Sequence, residues 1–224
     1  LNFRLSKVTR RFRKKIIQLV GFIWGGSLLF MISSVFDTLV ISAVLPNGLA
    51  FAGIYTLAQN MGSLIQAPQR GIASASIAVL SRSWKEKNLL KISQVYHSSS
   101  INQVLFASGM FLLIWMNFNA GVAFFHLQKD YLQAKEIFLY IGLMRIIDMG
   151  TGVNAQIIGT STKWRFDFVT GIILILITLP LNYWMTRQLG AVGPAIANLF
   201  SISVYNRSEE HTSELSHGYI SYAV

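Results

Sequence analysis

Apolar residues fill six long stretches of the chain, at about 16–42, 50–80, 98–125, 136–158, 167–186 and 190–205, with short polar segments between them. A helix needs about 20 consecutive apolar residues to cross the hydrocarbon core of a bilayer. Each stretch reaches or exceeds that length except the last. The pattern predicts an all-α polytopic membrane protein with six transmembrane helices. Its function must then be sought in the polar groups held at bilayer depth, where ionisable side chains are costly and tend to be functional.

Composition agrees. Hydrophobic residues make up 53% of the chain and charged residues 12%, with a mean hydropathy of +0.49. A soluble domain carries about 25% charged residues. The net charge of +10 raises nucleic acid as a partner, but basic loop residues facing anionic headgroups explain it better. Membrane lipids are therefore expected partners and nucleic acid is not. The absence of cysteine excludes disulfides, thiolate catalysis and cysteine metal sites. The four histidines form no ligand-like cluster, so neither a metal nor a cofactor is expected; His97 and His126 read as interfacial residues at span ends.

The charges also orient the chain. With a cytoplasmic N-terminus, the inner segments hold Arg4, Lys7, Arg10, Arg11, Arg13, Lys14 and Lys15, then Arg82, Lys85, Lys87 and Lys91, then Lys163 and Arg165. The outer segments hold only Lys129, Lys135 and Arg187. The positive-inside rule selects this orientation. Trp84 and Trp164 fall at the inner boundary, Trp115 and Trp184 near the outer one.

Residues 1–15 read as a basic cytoplasmic linker. No small-residue cleavage site precedes the first span, and a start at Leu1 leads to the expectation of a fragment entering in mid-protein. From Arg207 the character changes to a polar, acidic run. The string RSEEHTSEL is the translation of the common sequencing-adapter DNA AGATCGGAAGAGCACACGTCTGAACTC, and ISYAV that of a later adapter stretch. Residues 207–224 are therefore expected to be a non-native tail, with 16–206 the native six-span unit and its last span cut short.

Four ionisable residues are placed at bilayer depth: Asp37 in the first stretch, Arg70 in the second, Arg145 and Asp148 in the fourth. In the second stretch Gln59, Ser63, Gln66, Arg70 and Ser74 share one helical face. A polar stripe of that length suits water or a polar partner rather than lipid. Pro68 within it predicts a kink. Arg145 and Asp148, at i and i+3, are placed to pair. Gly150 and Gly152 weaken the helix beyond them, so a bend or a close packing contact is expected there. Gly21-x-x-x-Gly25 is a weak small-residue packing signal, and Pro180 permits a further kink. The bland alternatives are an internal ion pair that only fixes packing, an Asp37 that only neutralises an arginine, and an Arg70 that snorkels to the inner interface.

No catalytic constellation is present. The six acids before residue 207 are scattered singly, and there is no phosphate-binding loop and no acidic pair suited to metal chemistry. The chain is not expected to be an enzyme.

Several strings carry a resemblance. SLLFMISSVFDTLVIS, GIYTLAQNMGSLIQAPQRGI with the basic SRSWKEKN after it, IFLYIGLMRIIDMGTGVNAQIIGTSTKWRFDF and TLPLNYWMTRQLGAVGPAIAN resemble the polysaccharide and O-antigen flippases of the multidrug/oligosaccharidyl-lipid/polysaccharide (MOP, MATE-like) exporter superfamily. The resemblance covers nearly all of 1–206. It implies one lobe, the C-terminal one, of a two-lobe transporter, with the N-terminal lobe of the same chain as its partner. It also implies residence in a bacterial inner membrane and alternating-access export of a lipid-linked (undecaprenyl-diphosphate) oligosaccharide for cell-surface polysaccharide or lipopolysaccharide. On chemical grounds Arg70 and Arg145 would then meet the diphosphate, and Gln59, Ser63 and Gln66 sugar hydroxyls. Asp37 and Asp148 would balance the arginines or bind a coupling cation. A multidrug extruder of the same fold, a membrane-embedded glycan-modifying enzyme and a non-transporting scaffold remain as alternatives.

Overall fold

In the computed structural model the described residues, 10–161 and 164–221, form an all-α bundle without strands. Side chains are described for most of 10–161 and of 169–207; Arg4, Lys7, Arg11, Lys15, Lys163 and Arg165 lie outside that set. The helices are α1 (Arg10–Val44), α2 (Gly48–Ile65), α3 (Ala67–Lys85), α4 (Leu89–Phe124), α5 (Ala134–Gly150), α6 (Asn154–Thr160), α7 (Trp164–Leu189) and α8 (Gly193–Ser221). Short 3₁₀ turns at Lys129–Gln133 and Gly190–Val192 link α4 to α5 and α7 to α8.

Two of the six expected stretches are each split in two. The second divides at Gln66, where α2 ends and α3 begins with Pro68 in its first turn. Proline has no N–H to lose there and its ring blocks continuation from the preceding turn. The fourth divides at 151–153, where Gly152 takes φ +61°. A side chain there would be strained and would also strike Ser99 Oγ at 2.7 Å and the Ser100 nitrogen at 2.9 Å. The expected bend and the expected close contact are therefore one feature. Pro180, in contrast, sits inside an uninterrupted α7.

The polar segment expected over 81–97 is shorter than its charges suggest. The chain turns over 86–88 with Lys87 at φ +53°, and Asn88 caps α4 by accepting from the Lys91 amide at 3.0 Å. Helix α4 starts early because Ile92, fully buried, anchors its first turns. At the other end of the chain, α8 continues past Arg207 as helix to Ser221. The change of composition at 207 is thus not a change of backbone.

Two segments among the described residues, Leu89–Phe124 and Val169–Arg207, are long and apolar enough to cross a membrane. The second is folded on itself at Gly190, so α7 and α8 pack side by side. Only 17% of each apolar window is buried inside the bundle. Large apolar side chains instead point outward, among them Trp24, Leu105, Met116, Leu176 and Phe200. Cβ atoms built on Gly21 and Gly25 would meet nothing within 4 Å. Within the described bundle, then, no close packing requires glycine at these two positions.

Candidate functional site

Asp37 is the organising residue of the bundle interior. It is 3% exposed. Its Oδ2 accepts from the Tyr55 hydroxyl at 2.9 Å and from Asn198 Nδ2 at 2.6 Å, and its Oδ1 accepts from Asn182 Nδ2 at 2.5 Å. One carboxylate thus joins α1, α2, α7 and α8.

Helix geometry explains the meeting. Asp37, Tyr55 and Asn182 each stand seven positions from a helix end, at Val44, Gly48 and Leu189, and Asn198 stands five from Gly193. At 1.5 Å per residue all four lie about 8–11 Å below the α1–α2 and α7–α8 turns. Three donors facing one acidic group match a carboxylate's purely accepting inventory. Asn182 Oδ1 is buried beside it without a hydrogen-bond partner.

Arg145 comes from a fifth helix, α5. It lies close enough to act electrostatically on Asp37, Tyr55 and Asp148. Its Nε is buried without a partner. The expected Arg145–Asp148 ion pair does not form: among the described residues the close ion pair is Arg82–Glu86, on the surface. Asp148 Oδ2 instead accepts from Gln66 Nε2 at 2.8 Å, with Gln69 beside it. The i, i+3 spacing allowed a pair, but the break at Gln66 puts a nearer donor in front of the carboxylate.

The polar stripe of the second stretch has a different setting. Asn60, Ser63, Arg70 and Ser74 are exposed, and Gln59 and Gln66 are half-buried. Ser63 and Ser74 donate to carbonyls of their own helices, at Asn60 and Arg70. The stripe therefore runs down the outside flank of α2–α3. Gln66 connects this flank to Asp148 and, through α5, to Arg145. The structure brings Gln66, Arg145, Asp148 and Asp37 into one continuous region and leaves Gln59, Ser63 and Arg70 along its open side.

Tyr55, Asn182 and Asn198 carry the Asp37 site but were not singled out from the sequence. The available signal was an amide inside an apolar stretch, which is costly unless partnered. A separate cleft of about 420 Å³ opens at the same end, between Leu45, Ile54, Ile137 and Val192 with Glu136 at its edge. It includes none of these polar residues. Comparison of the chain with protein-family models, curated proteins and solved structures gives no match.

Proposed function

We propose that this chain is a lobe of a multi-pass membrane exporter that moves a lipid-linked, anionic oligosaccharide across a bacterial inner membrane by alternating access. The observation that carries this reading is the contrast between the two kinds of exposed surface. Most of the bundle presents outward apolar side chains such as Leu105, Met116 and Leu176, which suit lipid. The α2–α3 flank presents Asn60, Ser63, Arg70 and Ser74, interspersed with exposed Leu64 and Ile77. An arginine facing hydrocarbon is expensive, so this flank faces water or a second polar wall. A second lobe of the same kind, closing a path along the flank, satisfies that requirement.

In this reading the six apolar stretches are six spans, with α2–α3 and α5–α6 as broken ones. Broken helices at membrane depth are tolerated where they line a cavity or are buried in protein. Arg70 offers a fork of donors to a diphosphate on the open flank, with Arg145 deeper and Gln59, Ser63 and Gln66 available to sugar hydroxyls. Asp37 and Asp148 balance Arg145 while the path is empty. The unpartnered Asn182 Oδ1 beside the Asp37 carboxylate is an oxygen ligand of the kind a hard cation takes. A catalytic reading is less favoured, because no nucleophile–base pair is assembled around these residues.

The test is glycan export in cells carrying Arg70→Gln, Arg145→Gln and both. Export falls in each and is lost in the double variant, with the lipid-linked precursor accumulating on the inner leaflet. Unimpaired export by a well-folded double variant overturns the phosphate role. Loss of an assembled glycan bond, with no trapped precursor, marks an enzyme instead.

A further inference from the structure

The bundle contains two separate apolar cores. The larger includes Ile41, Ile65, Ala107, Phe118, Phe138 and Met149; the smaller is Leu80, Ile92, Val153 and Ile157. The division falls at the same level in three consecutive stretches. The second leaves the larger core at Ile65 and reaches the smaller with Ile72; the fourth leaves at Met149 and enters at Val153; α4 gives Ile92 to the smaller and Ala107 to the larger.

Each of these crossings carries a weak point. The first is the α2–α3 break at Gln66 and the second is the turn at 151–153. The third is the run Ser98, Ser99 and Ser100 on α4. Ser99 Oγ donates to the Tyr96 carbonyl of its own helix at 2.9 Å, a bond that favours bending. Ser100 Oγ donates to the Gly150 carbonyl at the α5 end. Gln103, one turn further, is 1% exposed with neither amide atom partnered.

A layer of polar groups between two apolar cores resists sliding less than interlocked side chains do. The unpaired amide of Gln103 adds a desolvation cost to the arrangement seen, one that an arrangement pairing it would avoid. On the flank the layer is tied at Asp148, whose Oδ2 accepts from Gln66 Nε2 at 2.8 Å between the two helix breaks, with Gln69 of α3 beside it.

We infer that α3, α6 and the first turns of α4 form an inner unit that pivots as one body on the rest of the bundle about this polar layer, with the Gln66–Asp148 hydrogen bond as its latch. The use of such a pivot, opening the inner end of the path, rests on the exporter reading above; its existence does not.

The chain has no cysteine, so paired spin labels can be placed directly in the full chain in lipid nanodiscs. Labels at Ser81 on α3 and Val204 on α8 span the two units, both at exposed positions. Ser81 with Gln94 lies within the inner unit, and Leu49 with Gln188 within the outer one. Helix α3 has 19 residues, about 28 Å in length, so a swing of about 10° carries its far end about 5 Å. Gln66→Leu shifts or broadens the Ser81–Val204 distance by that order and leaves both controls unchanged. In the unsubstituted chain the spanning pair is already broader than either control. A spanning distance as narrow as the controls in the unsubstituted chain, or controls that broaden with it in Gln66→Leu, overturns the pivot. Because the readout is a distance, its failure leaves the export test standing, and the reverse holds.

Discussion

Asn182 donates to Asp37 at 2.5 Å across 145 positions of sequence, tying the first helix of the chain to the seventh. With Tyr55 and Asn198 on the other carboxylate oxygen, the site is a clamp as much as a binding group. Replacing Asp37 by leucine orphans three buried donors, at about 1–3 kcal/mol each. Asp37→Leu therefore lowers the thermal unfolding temperature in detergent far more than Asp37→Asn, which keeps the shape and one accepting oxygen. Equal stability of the two variants would show that the donors are not held by the carboxylate.

Tyr55→Phe removes one donor and leaves the carboxylate two others. A loss of about 1 kcal/mol is expected, smaller than that of Asp37→Leu. A double variant with Asn198→Leu should lose more than the sum of the singles if the three act as a network, as measured by a double-mutant cycle on thermal stability.

Two glycines on neighbouring helices give opposite expectations. A Cβ on Gly142 would strike the ring of Phe111. That ring cannot easily withdraw, because it stacks between Trp115 at 6.0 Å and Phe138 at 5.6 Å. Gly142→Ala should destabilise by about 1–3 kcal/mol. Gly109 on α4 has nothing within 4 Å of its Cβ position, and Gly109→Ala should stabilise by about 0.5–1 kcal/mol through helix propensity. Thermal unfolding of the two variants separates a packing contact from a bare propensity effect.

Gly152→Ala combines a strained φ with a collision at Ser99 and Ser100. A loss of about 1–3 kcal/mol is expected from the backbone strain alone. Asn, which tolerates a left-handed backbone better, should lose less than Ala only if the strain outweighs the collision. The ranking of the two variants by thermal stability decides which dominates.

Much of the helical layout was legible as apolar periodicity, and the two helix breaks were legible as Pro68 and as the pair Gly150 and Gly152. These signals are local: a ring that blocks a turn, and residues that weaken one. The Asp37 clamp was legible only as a lone acid. Tyr55, Asn182 and Asn198 are single polar positions in apolar runs, so no spacing within one helix marks them. They become a set only through their shared depth below two turns. Arg145 and Asp148 misled in the other direction, since a helical spacing that permits a pair says nothing of a closer donor on another element. The stripe from Gln59 to Ser74 was read as one face, and its residues do lie along one flank, but whether that flank faces inward or outward is a property of packing.

In the exporter reading the α2–α3 flank lines a water-filled path while the rest of the exposed surface meets lipid. Single cysteines at Ser63, Arg70 and Ser74, and at Leu105, Met116 and Leu176, can be introduced into a chain with no cysteine of its own. Their reaction with a water-soluble, membrane-impermeant thiol reagent is then measured in open membrane fragments. The account predicts labelling at 63, 70 and 74 and none at 105, 116 and 176. Equal labelling of both sets, or protection of all three flank positions, would contradict it.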